Sequence, residues 1–162
     1  MKAEAAPDWP RNLIANDGPV AHDWPPPFWS ASLLHERFAM ALEHRSELLW
    51  RPWYVRLRGK YDPEARYVAA AWFAGPADAA GVLDVRVSVV PSQQGKGIGS
   101  EVLKMLTNWP RMLRLATHFR ATVVPSNTPA WRRVLNKNSF AMVGTDQNGV
   151  EAWIRPLEIA AE

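Results

Sequence analysis

Apolar and polar positions alternate along this chain in a readable order. Leu33, Leu34, Phe38, Leu42 and Leu49 recur at near-helical spacing behind Ser30 and Ser32, either of which suits a helix cap. That predicts one or two helices over 30 to 48. Residues 51 to 58, RPWYVRLR, alternate as a half-buried strand does. Residues 66 to 73, RYVAAAWF, and 82 to 90, VLDVRVSVV, predict two more strands, with turn signals at Asp62-Pro63 and Gly75-Pro76-Ala77-Asp78. From Ile98 the period becomes helical. Ile98, Val102, Leu103, Leu106 and Trp109 share one face, and Pro110 is expected to stop the helix. Residues 118 to 124, HFRATVV, read as a strand, and 125 to 129, PSNTP, as a turn opening a helix over 130 to 137. Residues 140 to 143 and 150 to 154 predict a closing hairpin joined through Asn148-Gly149, with a longer loop as the alternative.

This succession predicts an α+β fold: a mixed, mostly antiparallel sheet with helices on both faces. Residues 1 to 28 are rich in Pro, Asp, Gly and Trp. They are expected to form an extension packed over a single domain spanning 29 to 162.

The chain is organised around the junction between the third strand and the first long helix. There Pro91-Ser92 leads into Gln93-Gln94-Gly95-Lys96-Gly97-Ile98-Gly99. Glycine lets backbone turn sharply and approach a ligand. The first N–H groups of a helix lack internal partners and carry partial positive charge, which suits phosphate, and Lys96 adds a full charge. Gly97 is followed by Ile98, where the P-loop pattern needs Lys and then Ser or Thr, so that pattern fails. Ser100 stands where a dinucleotide fingerprint needs its third glycine, and the acidic residue expected further on is replaced by His118, Phe119 and Arg120.

What remains is Gln94-x-x-Gly97-x-Gly99 behind Val89-Val90-Pro91. This resembles the pyrophosphate loop of the GNAT superfamily of N-acetyltransferases. A second segment, 124 to 140, VPSNTPAWRRVLNKNSF, is similar to the branch that includes ribosomal-protein N-terminal acetyltransferases. It carries one extra residue between Asn127 and Arg133, and Ser139 stands where that branch has glycine. The resemblance covers about residues 30 to 155. It implies a GNAT-like acyl-CoA fold that takes acetyl-CoA as co-substrate and transfers its acetyl group directly to a primary amine in a ternary complex. It also implies that main-chain groups of Val89 and Val90 hold the pantetheine arm. Gln94, Gly95, Lys96, Gly97, Ile98, Gly99 and Ser100 would cradle the pyrophosphate, and Asn127, otherwise a helix cap, would contact the cofactor.

Amine attack needs a base, because a lysine-type amine with a pKa of about 10.4 is protonated at neutral pH. Asp84, a carboxylate in a valine-rich strand, is the candidate; its structural alternative is an ion pair with Arg86. The tyrosine that many family members carry in the last helix is replaced by Leu135, so the proton donor is open among Ser139, Ser126, Tyr54 and water. The rival readings are a catalytically inactive CoA-binding or regulatory module, and a regulator that binds ATP or NAD.

Composition adds limits. The chain has 162 residues, 48% of them hydrophobic, with no cysteine and a net charge of +3. This predicts one globular domain with no nucleic-acid partner, the mild basicity being only weak evidence for one, and a cytoplasmic location. No apolar run approaches the roughly 18 residues of a membrane span. His22, His35, His44 and His118 have no metal-ligand spacing, so no metal is expected. Arg132, Arg133 and Lys137 form a basic helical patch within reach of a phosphate. Trp24, Trp29 and Trp53 are expected in the core, with an acceptor pocket as their alternative. The acceptor, a small molecule or a protein N-terminus, is not readable, and a homodimer is compatible with all of this.

Overall fold

The computed structural model describes residues 18–29, 52–57, 64–113 and 116–157. The helices expected over 30 to 48, residues 1 to 17 and the outer ends of the first strand lie outside these. Six strands form one mixed sheet: β1 (Trp53–Arg56), β2 (Tyr67–Phe73), β3 (Val82–Val89), β4 (His118–Val123), β5 (Ala141–Thr145) and β6 (Glu151–Pro156). Their order is β1-β2-β3-β4-β6-β5. Every neighbouring pair is antiparallel except β3 and β4, which run parallel. The helix α1 (Ile98–Leu113) supplies the crossover that a parallel pair requires. A second helix, α2 (Thr128–Lys137), joins β4 to the closing hairpin.

The helical face read from the sequence is the buried one. Ile98, Val102, Leu103 and Leu106 are buried and Trp109 packs partly against them. They meet Ala69, Ala71, Phe73, Leu83 and Phe119 of the sheet in one core. Each fully buried leucine there contributes roughly 2 kcal/mol by transfer from water. Leu135 brings α2 into the same core, and Asn138 Nδ2 ties its end to Ser100 Oγ at 3.0 Å.

One boundary differs from expectation, and one open alternative is decided. The first long helix runs past Pro110 to Leu113. A proline this late in a helix gives up a single backbone donor, and the packed turns before it hold the remainder. The closing turn is also longer than the Asn148-Gly149 pair. Thr145 pairs with Glu151, and Asp146 Oδ1 accepts from the N–H groups of Asn148 and Val150 at 2.8 and 2.9 Å.

The segment 18–29 packs on the sheet. Ala21 N donates to Tyr67 O at 3.0 Å, Tyr67 N donates to Pro19 O at 2.9 Å, and Trp24 and Trp29 are buried. Burial works to raise the Asp23 carboxyl, but hydrogen bonds from the Ser92 N–H (2.7 Å) and hydroxyl (2.9 Å) prevail and hold it below its ordinary range. Those bonds fasten the segment to the turn that follows β3.

Candidate active site

The site begins where two parallel strands part. β3 stays paired with β2 along its length, from Phe73↔Val85 to Ala69↔Val89. Its pairing with β4 covers only Val82↔His118, Leu83↔Phe119 and Asp84↔Arg120. Beyond that rung the strands diverge and leave a fork that opens toward their C-terminal ends. The phase of the ladder decides which groups face the gap. Asp84 O accepts from Ala74 N at 3.0 Å, and Val90 N donates to Val68 O at 2.9 Å. Bonded and unbonded pairs alternate in an antiparallel ladder, so Asp84, Arg86, Ser88 and Val90 spend their main-chain groups on β2. Val87 and Val89 point theirs the other way, where β4 has left.

Side chains from the open end reach into this gap. Gln94 Nε2 donates to Val89 O at 3.0 Å, and Trp131 Nε1 donates to Thr122 O at 3.2 Å. The glycine loop lies at the end of the β3 arm. Gly95 and Gly97 have φ of +75° and +84°, values that glycine adopts without strain. An added Cβ at either would meet nothing within 4 Å, so backbone conformation, and not crowding, demands glycine there. Among the described residues, the N–H groups of Gly95, Lys96, Gly97, Ile98 and Gly99 donate to no carbonyl, while Ser100 N and Glu101 N donate to Gly97 O. Lys96 Nζ stands 3.0 Å from Gln93 Oε1, over the same loop. Ser100 Oγ accepts from Asn138, which leaves its own hydrogen to donate. Five unspent N–H groups, a helix N-terminus and an ammonium make an anion cradle.

A cavity of about 350 Å³ occupies the fork, walled in part by Phe28, Trp72, Arg86, Val87, Thr122 and Trp131. At the closed end of the fork, outside the cavity wall, Arg120 grips Asp84, Nε to Oδ1 at 2.8 Å and Nη2 to Oδ2 at 2.7 Å. The hydrogen bond to Asp84 raises the Arg120 guanidinium above its ordinary value, against desolvation.

The acetyltransferase (GNAT) family model matches residues 19–135. The chain belongs to the GNAT acetyltransferase family. Its fold is similar to that of a ribosomal-protein-S5-alanine acetyltransferase from Vibrio fischeri, at 17% identity over 91% of this chain and 82% of that one, with a TM-score of 0.61. A variant of the spermidine N-acetyltransferase from Vibrio cholerae matches at 15% identity over 90% and 86%, with a TM-score of 0.60. A phosphinothricin acetyltransferase from Sinorhizobium meliloti, solved with AcCoA, matches at 17% identity over 79% and 70%, with a TM-score of 0.58. The chain spans 61% to 68% of the length of other acetyltransferase structures it matches. No curated protein sequence matches it.

In this GNAT fold the loop residues Gln94 to Ser100 lie together between β3 and α1, with Val89 beside them. Val90 does not join them. Its N–H goes to Val68, its carbonyl accepts from Gln93 N at 3.0 Å, and its side chain is fully buried. Val87, absent from the sequence reading, shares the edge of Val89. Asn127 ends a short 3-10 turn, Pro125–Asn127, and its side chain lies outside the described residues. The partner of Asp84 is Arg120 across the fork, not Arg86, whose guanidinium instead meets Thr122 Oγ1.

Leu135 is fully buried in the core. Burial pushes the Tyr54 phenol up, and its ring sits among Trp24, Trp29 and Tyr67, away from the cavity wall. Arg132, Arg133 and Lys137 are all exposed, and Arg132 is engaged by Glu151. Trp24 and Trp29 are core residues, and Trp53 packs on Phe73 and Trp109. The tryptophans that do reach the cavity, Trp72 and Trp131, carry no sequence signal that separates them from the others.

Proposed function

We propose that this GNAT acetyltransferase uses acetyl-CoA and transfers the acetyl group directly to a primary amine bound in the same cavity. The observation that carries this is the fork, with main-chain groups of Val87 and Val89 facing the gap along one arm, the Val89 carbonyl met there, among the described residues, only by the Gln94 side chain, and the glycine cradle at its end. The donor set fits the co-substrate. Amide groups of the pantetheine arm match a strand edge, and the pyrophosphate matches N–H groups, Lys96 and a helix N-terminus. Acetyl-CoA supplies the activated acyl group. The chain holds and orients it, and walls of apolar and aromatic residues limit water around the acceptor.

Asp84 is the candidate base. It lies at the closed end of the fork, outside the cavity wall, so it would take the amine proton through a water. Arg120 occupies one position on each oxygen, and a carboxylate has further lone pairs for that water. With Leu135 in the core, the leaving thiolate would take its proton from water. The same leucine favours the second reading, a CoA-binding module without turnover.

Calorimetric titration with acetyl-CoA, CoA and NAD tests the proposal. Acetyl-CoA binding with amine acetylation supports it. Binding without turnover on a broad amine panel favours the module, and binding of none sinks both.

A further inference from the structure

The geometry of one turn points to Phe28 as the residue that selects the acceptor, and to a primary monoamine on an apolar body as the class selected. This rests on the acetyl-transfer reading above. Trp29 N donates to Pro26 O at 3.2 Å, which closes a four-residue turn over 26 to 29. Proline is at its second position and Phe28, with φ of +65°, at its third. That is the type II arrangement, whose third position is glycine's because φ is positive there. A bulky aromatic residue in this region is an outlier that surrounding structure must hold in place. Here the Ser88 hydroxyl, on β3, donates to Pro27 O.

The strained residue is not buried by its strain. Phe28 is 62% exposed and forms part of the cavity wall beside Trp72, Arg86 and Ser88. The fold gains no core packing from an aromatic ring here, so the ring's use is toward whatever enters the cavity. The chemistry of the wall narrows that occupant. Among the described residues lining the cavity, Arg86 is the only charged one and none is a carboxylate. A polyamine or aminoglycoside would bring ammonium groups that keep their charge, and each would lose hydration without an anionic partner among these described residues. An aromatic cage does not take the carboxylates' place, since Trp72 is buried with its ring against Trp29 at 4.6 Å. A monoamine has no such penalty, because its one amine must be neutral to attack. Its apolar body gains contact area on Phe28 and Trp131.

The test is acetylation by the full chain with acetyl-CoA and phenethylamine, an Ala-Phe-Ala tripeptide or spermidine. We expect kcat/KM for phenethylamine or the tripeptide to exceed that for spermidine at least tenfold, on the order of 1.4 kcal/mol. Whichever of the two leads separates a small amine from a peptide amino terminus. Spermidine leading, or no acetylation of any by protein that binds acetyl-CoA, overturns the inference. Absence of acetyl-CoA binding removes the underlying reading with it. Phe28→Gly relieves the turn, so the unfolding temperature should rise while KM for the favoured amine increases about tenfold and acetyl-CoA affinity is unchanged. An unchanged KM in that variant also overturns the inference.

Discussion

Asp84 and Arg120 form a two-bonded ion pair, 2.8 and 2.7 Å, on the last rung that joins β3 to β4. The pair therefore marks the point at which the sheet opens. Both side chains retain solvent contact, 24% for Asp84 and 37% for Arg120, so the pair is worth about 1 kcal/mol or less to stability. Its value lies in where it stands.

Asp84→Asn separates chemistry from architecture. We expect turnover to fall by about a hundredfold, the usual scale for a lost general base, with acetyl-CoA affinity within about twofold of wild type. Steady-state rates and calorimetry measure the two. A wild-type rate across pH would remove Asp84 from proton transfer and leave it as the clamp at the fork.

Gly97 answers for the cradle. Gly97→Ala adds a methyl group that meets nothing within 4 Å, so its cost is the φ of +84°, roughly 1 kcal/mol of stability. Gly97→Asp adds the same strain and a negative charge beside the proposed phosphate site. It should weaken acetyl-CoA more than about tenfold beyond the alanine variant. Equal affinities in two folded variants would displace the pyrophosphate from this loop.

Ser139 ends α2 in the left-handed region, with φ of +61°. Phe140 N bonds Leu135 O and Ser139 N bonds Asn136 O, each at 3.1 Å, the paired closure of a Schellman cap. Ser139 occupies the glycine position of that cap. Ser139→Gly should stabilise the protein by about 0.5–1 kcal/mol. A lower unfolding temperature would show that the serine hydroxyl does more than the backbone requires.

Glu151 sets an acid limit. Arg132 and then Trp153 donate to its carboxylate and hold it below the ordinary 4.5, against the pull of burial. A carboxylate with a lowered folded-state value stabilises the protein above its unfolded value. That stability is lost as pH falls through the folded value. Thermal unfolding should therefore hold level down to about pH 5 and decline below 4.5, where Asp23 adds to the fall. Glu151→Gln should flatten this limb. An unchanged acid limb would assign it to other carboxylates.

β3, β4 and the buried face of α1 were legible because period two and period 3.6 are written in apolar positions, and β2 because its apolar run is continuous. The fork was not. Alternation shows which face a side chain takes, but not which edge its main chain serves, so Val90 reads as well as Val87 until the ladder's phase is known. The partner of Asp84 lies 36 residues away on a strand adjacent only in space, and Arg86 is nearer in sequence. Glycines advertise the cradle, whereas a phenylalanine in a glycine position advertises nothing. Pro110 misled because its effect depends on how much helix is already packed before it.

A strand that reads its ligand with peptide groups has an alphabet of one letter. Replacing Val87 or Val89 by another apolar residue leaves the same N–H and C=O pointing into the fork. Only proline deletes a donor there. Mutation can therefore rewrite the arm for packing, or for a new acceptor, without removing the main-chain groups that the proposed acyl-carrier site would use. The chemistry on offer is fixed by geometry, and what it is offered to is free to drift.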